Sequence, residues 1–307
     1  VDEAKNKIKA LEKELEVVKK YKPFINHFKR MEELAHILKD RRTKQGSLNL
    51  DLPESKIVLD ENGYAIDVKK YELSFANEII EQFMLTANET VAERFYWLEA
   101  PFIYRVHEEP DEEKIDELNK FLFNFKYKIK YSKDNIHPKA FAEVLDKIVG
   151  TDEERVISTL ILRTLKVAKY ESQNKGHFGI ASNYYCHFTS PIRRYPDLFI
   201  HRVISHYIDK NYNVEDDWKQ EYLQKAVNYS ESSSEREKIA QKVERDSIDI
   251  KKAEFMQDKI GEEFEGIVSS ITSFGMFVEL ENTVEGLIRF ENLDDEYFIY
   301  DENRKTL

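Results

Sequence analysis

CHFTSPIRRYPDLFIHR, from Cys186 to Arg202, carries a helix start in its own residues. Thr189 or Ser190 can act as N-cap, and Pro191 takes the first helical position, where its missing N–H costs nothing. Pro196 is a second start five residues on. The stretch therefore predicts a tight turn, a kink, and then a helix through Leu198, Phe199, Ile200, Val203, Ile204 and Tyr207. Arg193 and Arg194 then stand at a helix N-terminus beside unpaired backbone N–H groups. Free donors, the helix dipole and the forked guanidinium all favour an anionic oxygen, which makes this a candidate phosphate site. The competing reading is that both arginines pair with local carboxylates.

The 307 residues suggest about two domains with a core of their own. The 19 Phe and 17 Tyr argue against disorder, although 35% of residues are charged. Cys186 is the only cysteine, so no disulfide forms within the chain, which fits a reducing, cytoplasmic setting. Cys186 itself reads as a small packed residue. No apolar run approaches the ~20 residues of a membrane span, and no signal peptide opens the chain. The chain begins at Val1 and stops inside a strand-like pattern, as expected of an internal segment of a longer protein. A net charge of −12 means that a nucleic-acid partner needs a basic cleft built locally from specific residues.

Outward from the opening stretch the pattern is mostly helical. Helices are predicted over residues 2–21 (stripe Ile8, Leu11, Leu15, Val18) and 25–42 (stripe Ile25, Phe28, Met31, Leu34, Ala35, Leu38), with Gly46 past the second exit. Leu48, Leu50 and Leu52 alternate. Ile57–Leu59 and Ala65–Val68 form a hairpin turned at Glu61-Asn62-Gly63. Ser74 caps a helix over 75–98, with Phe75, Ala76, Ile79, Ile80, Phe83, Ala87 and Val91 toward the core. Glu81 sits on the shoulder of that stripe beside Asn77, Met84 and Asn88. It reads either as solvated or as an acceptor for a hydroxyl ligand. A strand over 98–105 and helices over 112–125, 138–149, 152–171 and 218–258 follow. The charges of the last helix, including Glu244, read first as a solvated face.

From Gly261 the period changes to two: Phe264, Gly266, Val268; Met276, Val278, Leu280; Val284, Gly286, Ile288. These are the first three strands of an OB-type antiparallel barrel. Phe274 and Phe277 form a candidate base-stacking platform, the competing role being barrel core.

HFTSPIRRYPDLFIHR closely resembles the signature of the ribonuclease II family, in its ribonuclease R branch. EGIVSSITSFGMFVEL and EGLIRFENL resemble the S1 RNA-binding domain that follows the catalytic RNB domain there. IEQFMLTANETVAE (80–93), LRTLKVAKYES (162–172), GHFGIA (176–181) and VERD (243–246) support the match, which covers nearly everything from residue 22 on. The implied fold is α+β: residues 1–258 are the mostly helical C-terminal part of an RNB domain with short antiparallel strands. Residues 259–307 are the start of an incomplete all-β OB-type barrel.

The implied activity is processive 3′→5′ hydrolysis of single-stranded RNA to nucleoside 5′-monophosphates with Mg²⁺, by a cytoplasmic monomer. Arg193 matches the family arginine that stabilises charge on the scissile phosphate, and Glu81 the glutamate on the terminal ribose. Ser190, Arg194, Tyr195, Glu244, Phe274, Phe277 and Arg289 are the further candidate RNA contacts. Arg289 stands where S1 domains often carry His.

The family's metal-binding run of aspartates is absent: Asp51, Asp60 and Asp67 are scattered. No metal ligand is assigned to this chain. The Mg²⁺ ligands are expected upstream of Val1, and the chain alone is expected not to cleave RNA efficiently. A catalytically inactive RNA-binding relative and a helical scaffold without an RNA role are the alternatives.

Overall fold

In the computed structural model, which describes residues 14–50, 54–71, 73–132 and 136–293, two apolar clusters hold the helical part together. Helix α1 (Ile25–Gln45) lies against α2 (Phe75–Trp97), and the hairpin β1 (Ser55–Leu59) and β2 (Ala65–Lys70) stands between them in sequence. Strand β3 (Tyr104–Val106) pairs antiparallel with β4 (Lys169–Glu171) across three helices: α3 (Glu112–Leu122), α4 (Lys139–Ile148) and α5 (Glu154–Thr164). Those three helices enclose one cluster, around Ile115, Phe141 and Ile161. The second joins α2 and β3 to α6 (Tyr195–Asp209) and α7 (Asp216–Gln257) through Ala92, Phe102, Phe199, Tyr207 and Ala226. Antiparallel strands β5 (Gly266–Ile271), β6 (Gly275–Leu280) and β7 (Glu285–Arg289) complete the described fold. It is α+β and mostly helical, as expected. The predicted strands of the C-terminal unit fall where the alternation put them.

Helix α7 is 42 residues long, about 63 Å at 1.5 Å per residue. It connects three units. Ser234 Oγ accepts the Tyr170 N–H at 2.9 Å on β4; Lys251 Nζ donates to the Gly63 carbonyl at 2.6 Å on the hairpin; Lys252 Nζ donates to the Thr283 carbonyl at 2.7 Å beside β6. An Arg155–Glu279 ion pair and a Ser55–Thr283 hydroxyl contact at 2.6 Å add to the attachment of the C-terminal sheet.

Several expectations are corrected. The predicted stripe of α1 is largely exposed: Ile25, Phe28 and Leu34 face solvent, and only Ala35 and Arg42 are buried. Helix α2 buries Gln82, Asn88, Ala92 and Phe95, while Ile80 is exposed. Two polar side chains displace the predicted apolar face because both are satisfied inside: Gln82 accepts from Arg42 at 3.2 Å, and the Asn88 amide binds Tyr185 and Phe188. The predicted strand 98–105 contracts to β3. The predicted 152–171 helix ends at Thr164, since β3 claims 169–171 as its partner strand. Residues 47–50 form no strand, and Leu52 lies outside the described residues. Of the predicted 2–21 helix, residues 14–21 are helical with Leu15 and Val18 exposed; Ile8 and Leu11 lie outside the description.

Gly46 ends α1 at φ 96°, its N–H bonded to the Arg42 and Thr43 carbonyls. A Cβ there would stand 2.7 Å from the Lys139 backbone nitrogen, so only glycine lets α1 end against the start of α4.

Candidate nucleic-acid interface

The two prolines of the opening stretch make two separate structures. The Ser190 carbonyl accepts the N–H groups of Arg193 (3.3 Å) and Arg194 (3.1 Å), closing a turn over 191–193. A helix begun at Pro191 cannot pass Pro196, which has no N–H to donate. The chain therefore extends at Arg194 (φ −123°, ψ 118°) and restarts as α6. Neither Thr189 nor Ser190 caps that helix; Arg194 is its N-cap residue, without a side-chain cap bond. Ser190 contributes its backbone instead.

Asp197, fully buried in the first turn of α6, organises this corner. Its Oδ2 accepts the Ser190 N–H at 2.7 Å and Arg194 Nη2 and Nε at 2.7 and 3.1 Å. The carboxylate-pairing reading thus holds for Arg194. It does not hold for Arg193, which is exposed and makes no side-chain hydrogen bond or ion pair with the described residues. Arg193 lines a cleft of about 590 Å³ with Arg194, Tyr195, Tyr170, Tyr229 and Arg236. The Tyr195 and Tyr229 rings meet edge to face at 5.0 Å.

Below the cleft, Arg105 of β3 is tied to Glu237 of α7 at 2.5 Å, with its guanidinium 4.6 Å over the Tyr170 ring. The Tyr170 hydroxyl meets His187 Nδ1 at 2.9 Å. Burial, with Arg194 and Arg105 adding repulsion, holds His187 down at about 2; burial pushes the Tyr170 hydroxyl up to about 12. Both are neutral at neutral pH. Arg105 and Arg194 are each matched by a carboxylate, which leaves Arg193 and Arg236 as the uncompensated cations facing the cleft.

The other sequence candidates are more dispersed. Glu81 and Glu244 are exposed on α2 and α7 and do not line this cleft; Glu244 lies one turn beyond Ala240, which does. Asn77 Oδ1 accepts from Ser74 at the helix start, and Asn88 is buried in the core contacts above. Phe274 is exposed in the β5–β6 turn, and Phe277 is half-buried on β6 with no ring contact to it. Arg289 ends β7 and sits 3.3 Å from Glu291, both in solvent.

Among the described residues no group of three or more His, Cys, Asp or Glu side chains is placed to hold a metal. Asp60 closes the β1–β2 turn by accepting the Asn62 and Tyr64 N–H groups, and Asp67 pairs with Lys69; Asp51 lies outside the description. The described residues do not fit a metal centre. Arg105, Tyr170, Tyr229 and Arg236 were invisible as site residues in the sequence. A lone Arg in a strand and a Ser-rich helix segment give no sign of meeting until β3, β4 and α7 are seen together.

The profile of the RNB domain matches residues 1–210, and that of the S1 RNA binding domain matches residues 257–307.

The chain belongs to the RNB family.

Curated relatives of this RNB chain are named ribonuclease R. Ribonuclease R 1 of Lactococcus lactis is 42% identical over 289 residues, 94% of this chain and 35% of that protein. Ribonuclease R of Aquifex aeolicus is 41% identical over 285 residues, 92% and 40% respectively. The chain thus spans about two fifths of the length of these relatives. Among solved structures, Mycoplasma genitalium RNase R in complex with ribose methylated single-stranded RNA superposes with a TM-score of 0.86. It is 31% identical and covers 92% of this chain and 44% of its own. Yeast Ssd1, a pseudonuclease, shares the fold at a TM-score of 0.55 and 18% identity.

Proposed function

We propose that this chain carries the C-terminal part of the RNB domain and the start of the S1 domain of a 3′→5′ exoribonuclease that hydrolyses single-stranded RNA processively to nucleoside 5′-monophosphates. The observation that carries the reading is the exposed, unpaired Arg193 guanidinium in an Arg- and Tyr-lined cleft of a chain whose net charge is −12. Such a cation, fixed by a turn that Asp197 braces, meets a phosphodiester with little reorganisation. Its role is to stabilise the charge that develops on the scissile phosphoryl group. Arg194 contributes by holding the turn through Asp197, and Ser190 by closing it. Tyr195 offers an apolar face to a ribose or base. Glu81 accepts a hydrogen bond from the terminal ribose 2′-hydroxyl, a donor that DNA lacks. Glu244 lies along the same strand path. On the C-terminal sheet, Phe274 and Phe277 stack bases further from the end, and Arg289 meets backbone phosphate.

The division falls at 258/259, with the S1-type unit beginning at 259. The whole acts as a monomer in the cytoplasm. The chemistry also requires a divalent metal, Mg²⁺ in this reading, whose ligands belong to polypeptide upstream of Val1. The chain alone then binds RNA and does not cleave it efficiently.

A second reading, an RNA-binding relative without activity, is favoured by the missing acidic cluster among the described residues. The test is incubation of 3′-tailed single-stranded RNA and Mg²⁺ with the chain alone, and with the chain plus an N-terminal ribonuclease R segment. Release of monophosphates only in the mixture supports the first reading. Binding without cleavage in both supports the second. Cleavage by the chain alone contradicts the assignment of the metal ligands.

A further inference from the structure

Arg236 belongs to the same face of α7 as Tyr229 and Ser233, at helical spacings of three and four, and all three line the cleft that holds Arg193. Its side chain is exposed and makes no hydrogen bond or ion pair with the described residues. The one carboxylate of the lining, Glu237, is engaged by Arg105 at 2.5 Å, and Asp197 of α6 is engaged by Arg194 at 2.7 Å. No carboxylate of the lining is left to neutralise either Arg193 or Arg236. Two uncompensated cations, delivered by separate elements, face one void. Their mutual repulsion is relieved when anionic groups enter between them. The void, about 590 Å³, falls within the ~300–1,000 Å³ that holds a ligand of nucleotide size.

We propose that Arg236 is a second phosphate-binding residue of this cleft, gripping the internucleotide phosphate next to the one that meets Arg193. The inference rests on the cleft being the RNA site. Two grips on successive phosphates fix the register of the strand, so that one phosphodiester, and not its neighbour, lies at Arg193. Guanidinium suits the task because its fork fits two phosphate oxygens at once.

The experiment is equilibrium binding of the full chain to a fluorescent single-stranded RNA with a free 3′ end, repeated over a series of salt concentrations. The variants are R236A, R236K, R193A and, as a control, K238A, whose exposed lysine does not line the cleft. R236A is expected to weaken binding about tenfold, the size of one lost charge-assisted hydrogen bond. It is also expected to lower the slope of log affinity against log salt by about 0.7, one phosphate on a single strand. R236K keeps the slope and loses part of the affinity; K238A changes neither. An unchanged slope in R236A with a reduced slope in R193A overturns the role of Arg236 and leaves the cleft assignment standing. Unchanged affinity in both R193A and R236A, or no binding by the unaltered chain, overturns both.

Discussion

Arg194 donates two hydrogen bonds, at 2.7 and 3.1 Å, to the single Asp197 oxygen that also accepts the Ser190 N–H. One buried carboxylate thereby ties the start of the 191–193 turn to the start of α6, and Arg193 is held between the two anchor points. Asp197→Ala strands a partly buried guanidinium and releases the turn. Loss of one partner of a buried pair costs about 3–5 kcal/mol. Chemical denaturation is expected to show a loss of that order. RNA affinity should fall as well, although no phosphate contact has been removed. Unchanged stability would mean that the turn is braced elsewhere.

Arg42 makes the corresponding brace between α1 and α2. Its Nη1 and Nη2 meet the two Glu89 oxygens at 2.6 and 2.8 Å, while Gln82 and Thr86 take further N–H groups at 3.2 Å. Arg42→Lys keeps the charge and loses the fork, so it is expected to behave nearly as badly as Arg42→Ala. Hydrogen exchange across residues 25–45 measures the effect. Both variants should expose that helix, with the α3–α4–α5 unit unchanged.

The positions of these braces explain what the sequence could and could not show. The hairpin turn at Asp60–Gly63, the exit at Gly46 and the strands of the C-terminal sheet follow from local turn chemistry and period-two alternation, and they stand where those rules place them. The buried faces of α1 and α2 do not. Arg42, Gln82 and Asn88 are interior polar residues whose partners lie 40 to 100 positions away, and hydrophobic periodicity carries no record of such partners. The same holds at the cleft. The Arg193-Arg194 pair is visible as a motif, but its two arginines have different fates because of Asp197, and the cleft's other wall comes from a helix that reads as a plain charged surface.

Three histidines resist protonation in the fold: His107 is buried, and His177 and His187 are half-buried. Burial holds His177 at about 3 and His187 at about 2, and lowers His107 as well. In the unfolded chain each takes up a proton near 6.5. The folded-state values are depressed, so stability is full above about pH 6.5 and is lost as pH falls below it. The expected slope is up to roughly 1 kcal/mol per pH unit from each imidazole. Urea unfolding at pH 7.5, 6.5 and 5.5 reads this directly. His177→Phe, at a ring whose Nδ1 has no partner, should flatten the dependence; an unaltered slope would mean that His177 is not neutral in the fold.

Gly275 opens β6 opposite Arg289 of β7. A Cβ at this residue would collide with the Ile288 carbonyl oxygen and crowd the Arg289 Cα at 3.0 Å. Gly275→Ala is therefore expected to break the β6–β7 ladder and weaken RNA binding, while the two apolar clusters of the helical part stay folded. Limited proteolysis should cut the variant within 266–289 and leave the helical part protected. Equal protection of that sheet in both proteins would contradict the close approach.

The most direct test is single-turnover hydrolysis of 3′-tailed single-stranded RNA by the chain joined to an N-terminal ribonuclease R segment, comparing Arg193 with Arg193→Ala. The predicted result is a rate constant lower by about 100- to 1,000-fold, the usual loss for one removed transition-state donor, with RNA affinity changed by about tenfold at most. A rate constant that stays the same, or that falls only in proportion to affinity, would contradict the assignment of Arg193 to the scissile phosphate.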